Sequence, residues 1–307
     1  MPAKTFDIIV AGEINPDLIL TGNVLPEFGQ VEKLVDNATF TIGSSSAIFA
    51  CGAARLGLKV AFVGICGDDI FGHYMLSEMK KRDIDVNNVI IEEDGSTGLS
   101  VILNRDLDRA ILTYAGLIPA LKAGDIPEHL IKQSRHLHVA GYFLQTKLQP
   151  DLPALFRKVR KQGLSTSLDT NFDPDEKWID FDDLLSETTI FLPNEREAIS
   201  LSGESNLDLA VKNLGSKVEI LAVKQGADGA LGVQGQKKIQ VESIPVQVVD
   251  QVGAGDSFDA GFLYGYLQGW KIEKSLRLAC VCGAISTQKA GGTDGQPYLE
   301  EAMSHVS

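Results

Sequence analysis

The sequence predicts an α/β protein: a doubly wound, mainly parallel sheet with helices on both faces, plus a small β-sheet lid. Three observations predict it. Short apolar runs of strand length, Phe6 to Gly12 being the first, alternate along the chain with longer segments of helical period. Many of these runs end in glycine or a small polar cluster, as expected where a buried parallel strand delivers the chain to the carboxyl edge of a sheet. Two regions break the alternation with hairpin-like patterning, which adds a second, smaller sheet. The 307 residues, 44% hydrophobic and 22% charged, can bury a substantial core. With no repeat or convincing linker, the chain reads as one domain, 1–307, with lid segments of about 18–42 and 97–114 inserted.

The formal net charge of −13 argues against nucleic acid or an anionic membrane as the main partner. It also sets a demand: an anion bound by this protein must find local donors. No apolar run reaches the roughly 18 residues that span a bilayer, and Met1 to Asp7 lacks a basic region before an apolar core, so a cytoplasmic location is expected. Cys51, Cys66, Cys280 and Cys282 lack zinc-site spacing and read as buried thiols.

In chain order, Phe6 to Gly12 is a buried strand that runs into Asn15-Pro16-Asp17. Polar residues there are either a turn or the wall of a ligand site at the sheet's carboxyl edge. The first lid segment ends at Phe40-Thr41-Ile42. Gly43-Ser44-Ser45 is then a small-residue turn into a helix that stops at Gly57. A strand over Val60 to Gly64 follows, and Gly67-Asp68-Asp69 precedes the next helix. In the second lid segment Leu99, Val101 and Leu103 alternate, Asp106 to Asp108 make a turn, and Ala110 to Thr113 return. Arg105 and Arg109 are cations beside that turn; they either meet an acidic or phosphorylated substrate or decorate a solvated hairpin.

Arg135 to Gly141 is a strand carrying His136 and His138 on one face, where a metal site is conceivable but lacks a third ligand. A helix over Leu152 to Lys161 and a strand over Ser165 to Asp169 lead to Asp169-Thr170-Asn171, a polar wall at a strand end. The strand Thr189 to Pro193 enters a helix at Asn194. Glu197 lies three residues on, the spacing of a capping box. The strand Val218 to Val223 ends in Lys224, with Gly226 and Gly229 permitting close approach of the backbone to a nucleotide; a hairpin with a solvated lysine is the alternative. Helices over Asp256 to Gln268 and Ile272 to Lys289 close the chain.

The stretch with most chemical content is Asp250-Gln251-Val252-Gly253-Ala254-Gly255-Asp256-Ser257-Phe258. Gly253, Ala254 and Gly255 bring backbone N–H groups to a helix start, where unpaired donors and the helix dipole favour an anion. Asp256 in the first turn either complements that dipole or handles a proton beside the anion. No Gly-x-x-x-x-Gly-Lys-Ser/Thr loop is present, and Gly12 begins no Gly-x-Gly-x-x-Gly turn.

This Asp-x-x-Gly-Ala-Gly-Asp-x-Phe run resembles the second signature of the ribokinase-like (PfkB) carbohydrate kinases, and Gly43 to Gly57 resembles the first. The resemblance implies a ribokinase-like fold and ATP-dependent phosphorylation of a hydroxyl on a small sugar, with Mg²⁺ and in some relatives a monovalent cation. It implies Asp256 as general base, and Gly253, Ala254 and Gly255 as anion hole. Asn15, Asp17, Gly43 and Ser44 would meet the acceptor. Asn194, Glu197, Lys224, Gly226 and Gly229 would meet the nucleotide, with Glu197 reaching Mg²⁺ through water. The chain departs from the family pattern at Ser44, where a glycine is usual, at Ile48, where many relatives have asparagine, and at Asp173, where an arginine often stands. Nucleoside is a rival acceptor, although Phe28, Phe40 and Tyr114 are the few aromatics the lid offers. A binding protein that keeps the kinase fold without turnover is the rival outside enzymes. Analogy also suggests a homodimer through the lid.

Overall fold

The computed structural model describes residues 4–105, 108–178 and 181–306; Asp106, in the expected lid turn, lies outside them. The elements follow in order as β1 (Phe6–Ala11), β2 (Pro16–Thr21), β3 (Asn37–Ile42), α1 (Ser45–Arg55), β4 (Val60–Val63), β5 (Ile65–Gly67) and α2 (Ile70–Lys80). Then come β6 (Ile90–Glu92), β7 (Leu99–Arg105), β8 (Asp108–Tyr114), α3 (Glu128–Gln133), β9 (Ser134–Val139), α4 (Leu152–Lys161) and β10 (Ser165–Leu168). The chain continues through α5 (Asp182–Ser186), β11 (Ile190–Phe191), α6 (Glu195–Ser202), α7 (Leu207–Gly215), β12 (Ile220–Lys224), β13 (Ala230–Gln234) and β14 (Lys237–Val241). It closes with α8 (Ala254–Leu267), α9 (Ile272–Ser286) and α10 (Leu299–Met303).

The main sheet has the order β14-β13-β12-β11-β10-β9-β1-β4. From β4 to β12 every pairing is parallel, and β13 and β14 add an antiparallel edge. Successive side chains of β1 serve two cores, as a doubly wound sheet requires. Ile8 and Val10 pack into the core that holds Phe49 of α1, Phe262 of α8 and Leu276 of α9. Ile9 and Ala11 pack into the opposite one with Phe156 of α4 and Val211 of α7. The predicted layering is therefore present, and the parallel strands end together on one edge.

The two patterned regions join into a second sheet of order β3-β2-β7-β8. Two hairpin-like regions were expected; the seam between them is the parallel pairing of β2 with β7, a long-range contact with no local signature. Asp17 lies opposite Thr41 on one side and Ser100 on the other, and Ser100 lies opposite Thr113. Those residues share one face. Leu18, Phe40, Val101 and Leu112 share the other, and β8 is exposed along its whole length.

Among the described residues no helix is long and apolar enough to cross a membrane. Helix α8 lies so close to α9 that a Cβ added at Gly261 would sit 2.9 Å from Ala279 Cα. Gly261→Val is thus expected to cost roughly 1–3 kcal/mol through overpacking, read as a lower urea midpoint; an unchanged midpoint would show that α8 and α9 separate freely.

Candidate active site

Helix α8 follows a loop that leaves β14 at Val241, and its entry is built around Gly253. That residue has φ +72°, and a Cβ there would lie 2.8 Å from the Gly292 backbone and from Ile48 Cγ2. Glycine is required on both counts. The buried Asp250 carboxylate fixes the loop by accepting from Val252 N at 3.1 Å and Gly291 N at 2.9 Å, and it receives Asn104 Nδ2 of β7 at 3.4 Å. The anion loop, the loop at Gly291 and the small sheet thus meet on one carboxylate.

The predicted donors divide unequally. Ala254 N points to Gln251 O at 3.3 Å, closing the turn, while Ser257 N donates to Gly253 O at 2.9 Å. No described group accepts from the N–H of Gly253, Gly255 or Asp256. The donor set is therefore corrected: Ala254 is committed within the loop, and the Asp256 amide joins Gly253 and Gly255. Unpaired N–H groups at a helix start are anion donors.

The Asp256 carboxyl is buried, and burial pushes its pKa well above the ordinary range; the Asp169 charge adds to this and Lys224 opposes it. Lys224 lies between Asp169 Oδ2 at 3.0 Å and Asp259 Oδ2 at 3.2 Å. Burial works against its charge, but Asp169, Asp259 and Glu197 raise its pKa, so the ammonium persists. The two carboxyls differ. Burial pushes Asp259 well up, whereas at Asp169 burial is outweighed by Lys224 and by a hydrogen bond with Asp259, so Asp169 is held low. The two carboxyls of this pair are thus pushed in opposite directions, Asp169 down and Asp259 up. Lys224 is no solvated hairpin lysine, although β12 and β13 do form the hairpin.

Glu197 is also buried, and its pKa is pushed to about 7 by burial and the Asp169 charge. The capping box is present: Asn194 N donates to Glu197 Oε2 at 2.9 Å and Glu197 N to Asn194 Oδ1 at 2.9 Å. On the acceptor side, burial pushes Asp17 up to about 7, with Arg109 of β8 the leading opposing charge. Asn15 Nδ2 donates to Ser100 Oγ at 3.2 Å and reaches Asp17 Oδ1 at 3.4 Å. A side chain at Gly43 would collide with the Asp17 carboxyl, so this glycine makes room for the acid.

Ser44 keeps the left-handed φ of +65° that suits the usual glycine. Its hydroxyl compensates by donating to Glu13 O at 2.6 Å and accepting from Ala47 N at 3.0 Å as the cap of α1. Ile48 is wedged beneath Gly253 and Gly292, where it packs the anion loop. Asp173 accepts from the N–H groups of Asp175, Lys177 and Trp178 at 3.0, 2.8 and 2.9 Å, so it folds its own loop. His136 and His138 bond to Ser165 and Ser167, and no group of three His, Cys, Asp or Glu among the described residues is arranged to hold a metal.

Two residues of this site escaped the sequence reading. Asp259 follows Asp256 by three positions on a helix, a same-face spacing that was available as a signal. Glu13 lies between the strand end and Asn15; its carboxylate, raised by burial, accepts from Ser46 N at 3.2 Å and Ser46 Oγ at 2.6 Å.

Beside the anion loop opens a cleft of about 590 Å³, lined by Arg109, Lys224, Gly226, Gly229, Val246 and Gly255 among others. A cleft of similar volume, about 600 Å³, lies at the opposite edge of the sheet. Its arginines are occupied, Arg135 by Asp7 at 2.8 Å and Arg160 by Glu219, and none of the groups above reaches it.

Comparison with known proteins bears on the fold and the family. A sugar kinase of unassigned substrate from Archaeoglobus fulgidus is 30% identical over 247 residues, covering 80% of this chain and 98% of that protein. A 5-dehydro-2-deoxygluconokinase of Geobacillus thermodenitrificans is 29% identical, with 97% and 92% covered. Among solved structures, Arabidopsis thaliana ribokinase with ribose and ATP has a TM-score of 0.84 at 23% identity, covering 98% of this chain and 99% of that one. An Escherichia coli protein assigned as ribokinase II, with ATP and Mg²⁺, has a TM-score of 0.86 at 22% identity, with 98% and 99% covered. The pattern of the pfkB family carbohydrate kinases matches residues 5–298. With that match spanning nearly all of the sequence, the chain belongs to the pfkB family of carbohydrate kinases, phosphotransferases that act on a sugar hydroxyl.

Proposed function

We propose that this kinase transfers the γ-phosphoryl group of ATP to a hydroxyl of a small sugar, with Asp256 as general base and the free amides of the anion loop as the charge-stabilising hole. The observation that carries this reading is the conjunction at the start of α8: unpaired N–H groups beside a buried carboxyl of raised pKa. In the transfer, the acceptor oxygen bonds to phosphorus, the bond from phosphorus to the ADP oxygen breaks, and the acceptor's proton passes to an Asp256 oxygen. The amides then face the charge spread over the moving group. A carboxyl whose basicity burial has raised accepts that proton more readily than an ordinary one.

Mg²⁺ would neutralise nucleotide phosphate charge. One buried carboxyl on the nucleotide side, Glu197, offers oxygen for it, its pKa pushed to about 7 by burial and the Asp169 charge. Glu197 would hold it through water. Asn194, Lys224, Gly226 and Gly229 line the nucleotide side, while Asp17, Asn15, Gly43 and Ser44 hold the acceptor.

We read the small sheet as a lid within a single domain, its Asp17 face covering the sugar and excluding water. Phe40 and Tyr114 lie on the opposite face and Phe28 is 97% exposed, so no aromatic platform for a nucleoside base faces Asp17. That supports a sugar over a nucleoside. The outer face and the bare β8 edge would pair with a second copy. Four buried, unpaired cysteines accord with a cytoplasmic location, and the charge of −13 with a small-molecule partner.

A panel of sugars assayed for ADP release with Mg²⁺ tests the reading, and a binding protein without turnover would release none. Asp256→Asn is expected to lower kcat on the order of 10²-fold or more with ATP affinity changed little; equal turnover refutes the base assignment. By light scattering the chain is expected to have twice its monomer mass and Leu112→Lys to favour the monomer; a monomeric wild type refutes the pairing. Asp17 binds its proton more tightly folded than unfolded, so its contribution is present at low pH and is lost as pH rises from about 4 through about 7. Relative to wild type, Asp17→Asn should therefore gain stability between pH 5 and 8, up to roughly 1.4 kcal/mol for each unit of pKa difference crossed. His136 and His138, which burial holds low, shift stability the opposite way but cancel in that comparison. A pH-independent difference in urea unfolding would contradict the assignment.

A further inference from the structure

The cleft presents a charge problem. A nucleoside triphosphate brings several negative charges, yet among the described residues the cations lining the cleft are only Lys224 and Arg109. Lys224 is held between Asp169 and Asp259, so much of its charge is already answered. Arg109 forms no ion pair with any described carboxylate, and its backbone N–H is the group that donates to Asp108.

Register places Arg109 on the working face. Ser100 lies opposite Thr113, with their hydroxyls 3.0 Å apart, and Asn15 reaches Ser100, so this row faces the acceptor site with Asp17. Asn104 and Arg109 form the row four residues along, on the same face by strand alternation. Asn104 marks where that row points, since its amide reaches Asp250 of the anion loop at 3.4 Å. Arg109 lines the same cleft as Gln251, Ala254 and Gly255. At roughly 3.3 Å per residue its row is ~13 Å from that of Asp17, yet its charge is the leading one opposing the rise of Asp17. Arg109 thus stands at the cleft beside the anion loop, on the sheet face that carries the acceptor acid.

We propose that Arg109 is a further catalytic residue, a lid-borne guanidinium that binds the transferring phosphoryl group opposite the amides of Gly253, Gly255 and Asp256. The inference rests on the phosphoryl-transfer reading above and adds one donor from the other side of the reacting atoms. A planar guanidinium with several N–H donors matches phosphate oxygens and keeps its charge at any working pH. Carried on the small sheet, it completes the site when that sheet covers the acceptor, which couples acceptor binding to transfer.

Arg109→Ala, Arg109→Lys and Asp256→Asn, assayed with Mg·ATP and the sugar that wild type turns over best, test this. Arg109→Ala is expected to lose kcat on the order of 10²-fold or more, with the KM of the sugar and of ATP changed less than about threefold. Added guanidinium chloride at millimolar concentration should restore part of the loss, and Arg109→Lys should retain part of the rate. Arg109 is exposed, so an unchanged thermal midpoint is expected. Unchanged kcat, a sugar KM that rises with kcat intact, or a loss that guanidinium does not relieve overturns the proposal. If Asp256→Asn keeps full turnover while Arg109→Ala loses it, the general-base reading fails and the arginine's role stands; the reverse pattern removes only the arginine.

Discussion

The start of helix α8 holds backbone N–H groups that the protein itself leaves unpaired, and the rest of the site is arranged around that deficit. Gly253 and Gly255 are half-buried and Asp256 is buried, and first-turn N–H groups of this kind are open to an anion. Gly253 takes a left-handed φ so that the chain can turn beneath Gly292, Ile48 fills the space below, and Asp250 ties the loop to Val252 and Gly291. In a chain of net charge −13 these main-chain donors offer an anion a partner without an added basic side chain.

Behind the loop sits a denser electrostatic device. Asp169, Glu197, Asp256 and Asp259 surround Lys224, and burying so many acids near one cation costs free energy that the fold must recover in its two cores. The consequence is visible in which acids keep their protons: Asp169 is held low by the lysine, while Asp256, Asp259 and Glu197 are raised. Burial, with the Asp169 charge adding to it, is what raises Asp256.

What could be read in the sequence was the local part. Apolar runs ending in small residues marked β1, β4, β9 and β10, and the run from Asp250 to Phe258 announced a helix entry with free amides. Helix α8 nevertheless starts at Ala254, two residues before the expected Asp256, because the chain turns at Gly253. The β2–β7 seam was hidden, since parallel pairing across about eighty residues leaves no local pattern. Lys224 was legible as a nucleotide-side cation with a solvated hairpin lysine as the alternative, but its two carboxylate partners were not, because they come from β10's exit and from α8. Asp173 was weighed as a substituted substrate arginine, yet it caps its own loop. Ser44 shows the converse: a departure from glycine that keeps glycine's backbone angle by adding two hydrogen bonds.

The central claim, that the α8 amides receive the phosphoryl group, is tested most directly by the backbone ¹⁵N–¹H resonances of Gly253, Gly255 and Asp256 during titration with Mg·ADP, aluminium fluoride and an accepted sugar. The account predicts large downfield amide-proton shifts at these three positions and a small one at Ala254, whose N–H already faces Gln251 O. Saturable binding that leaves all three resonances in place would contradict it.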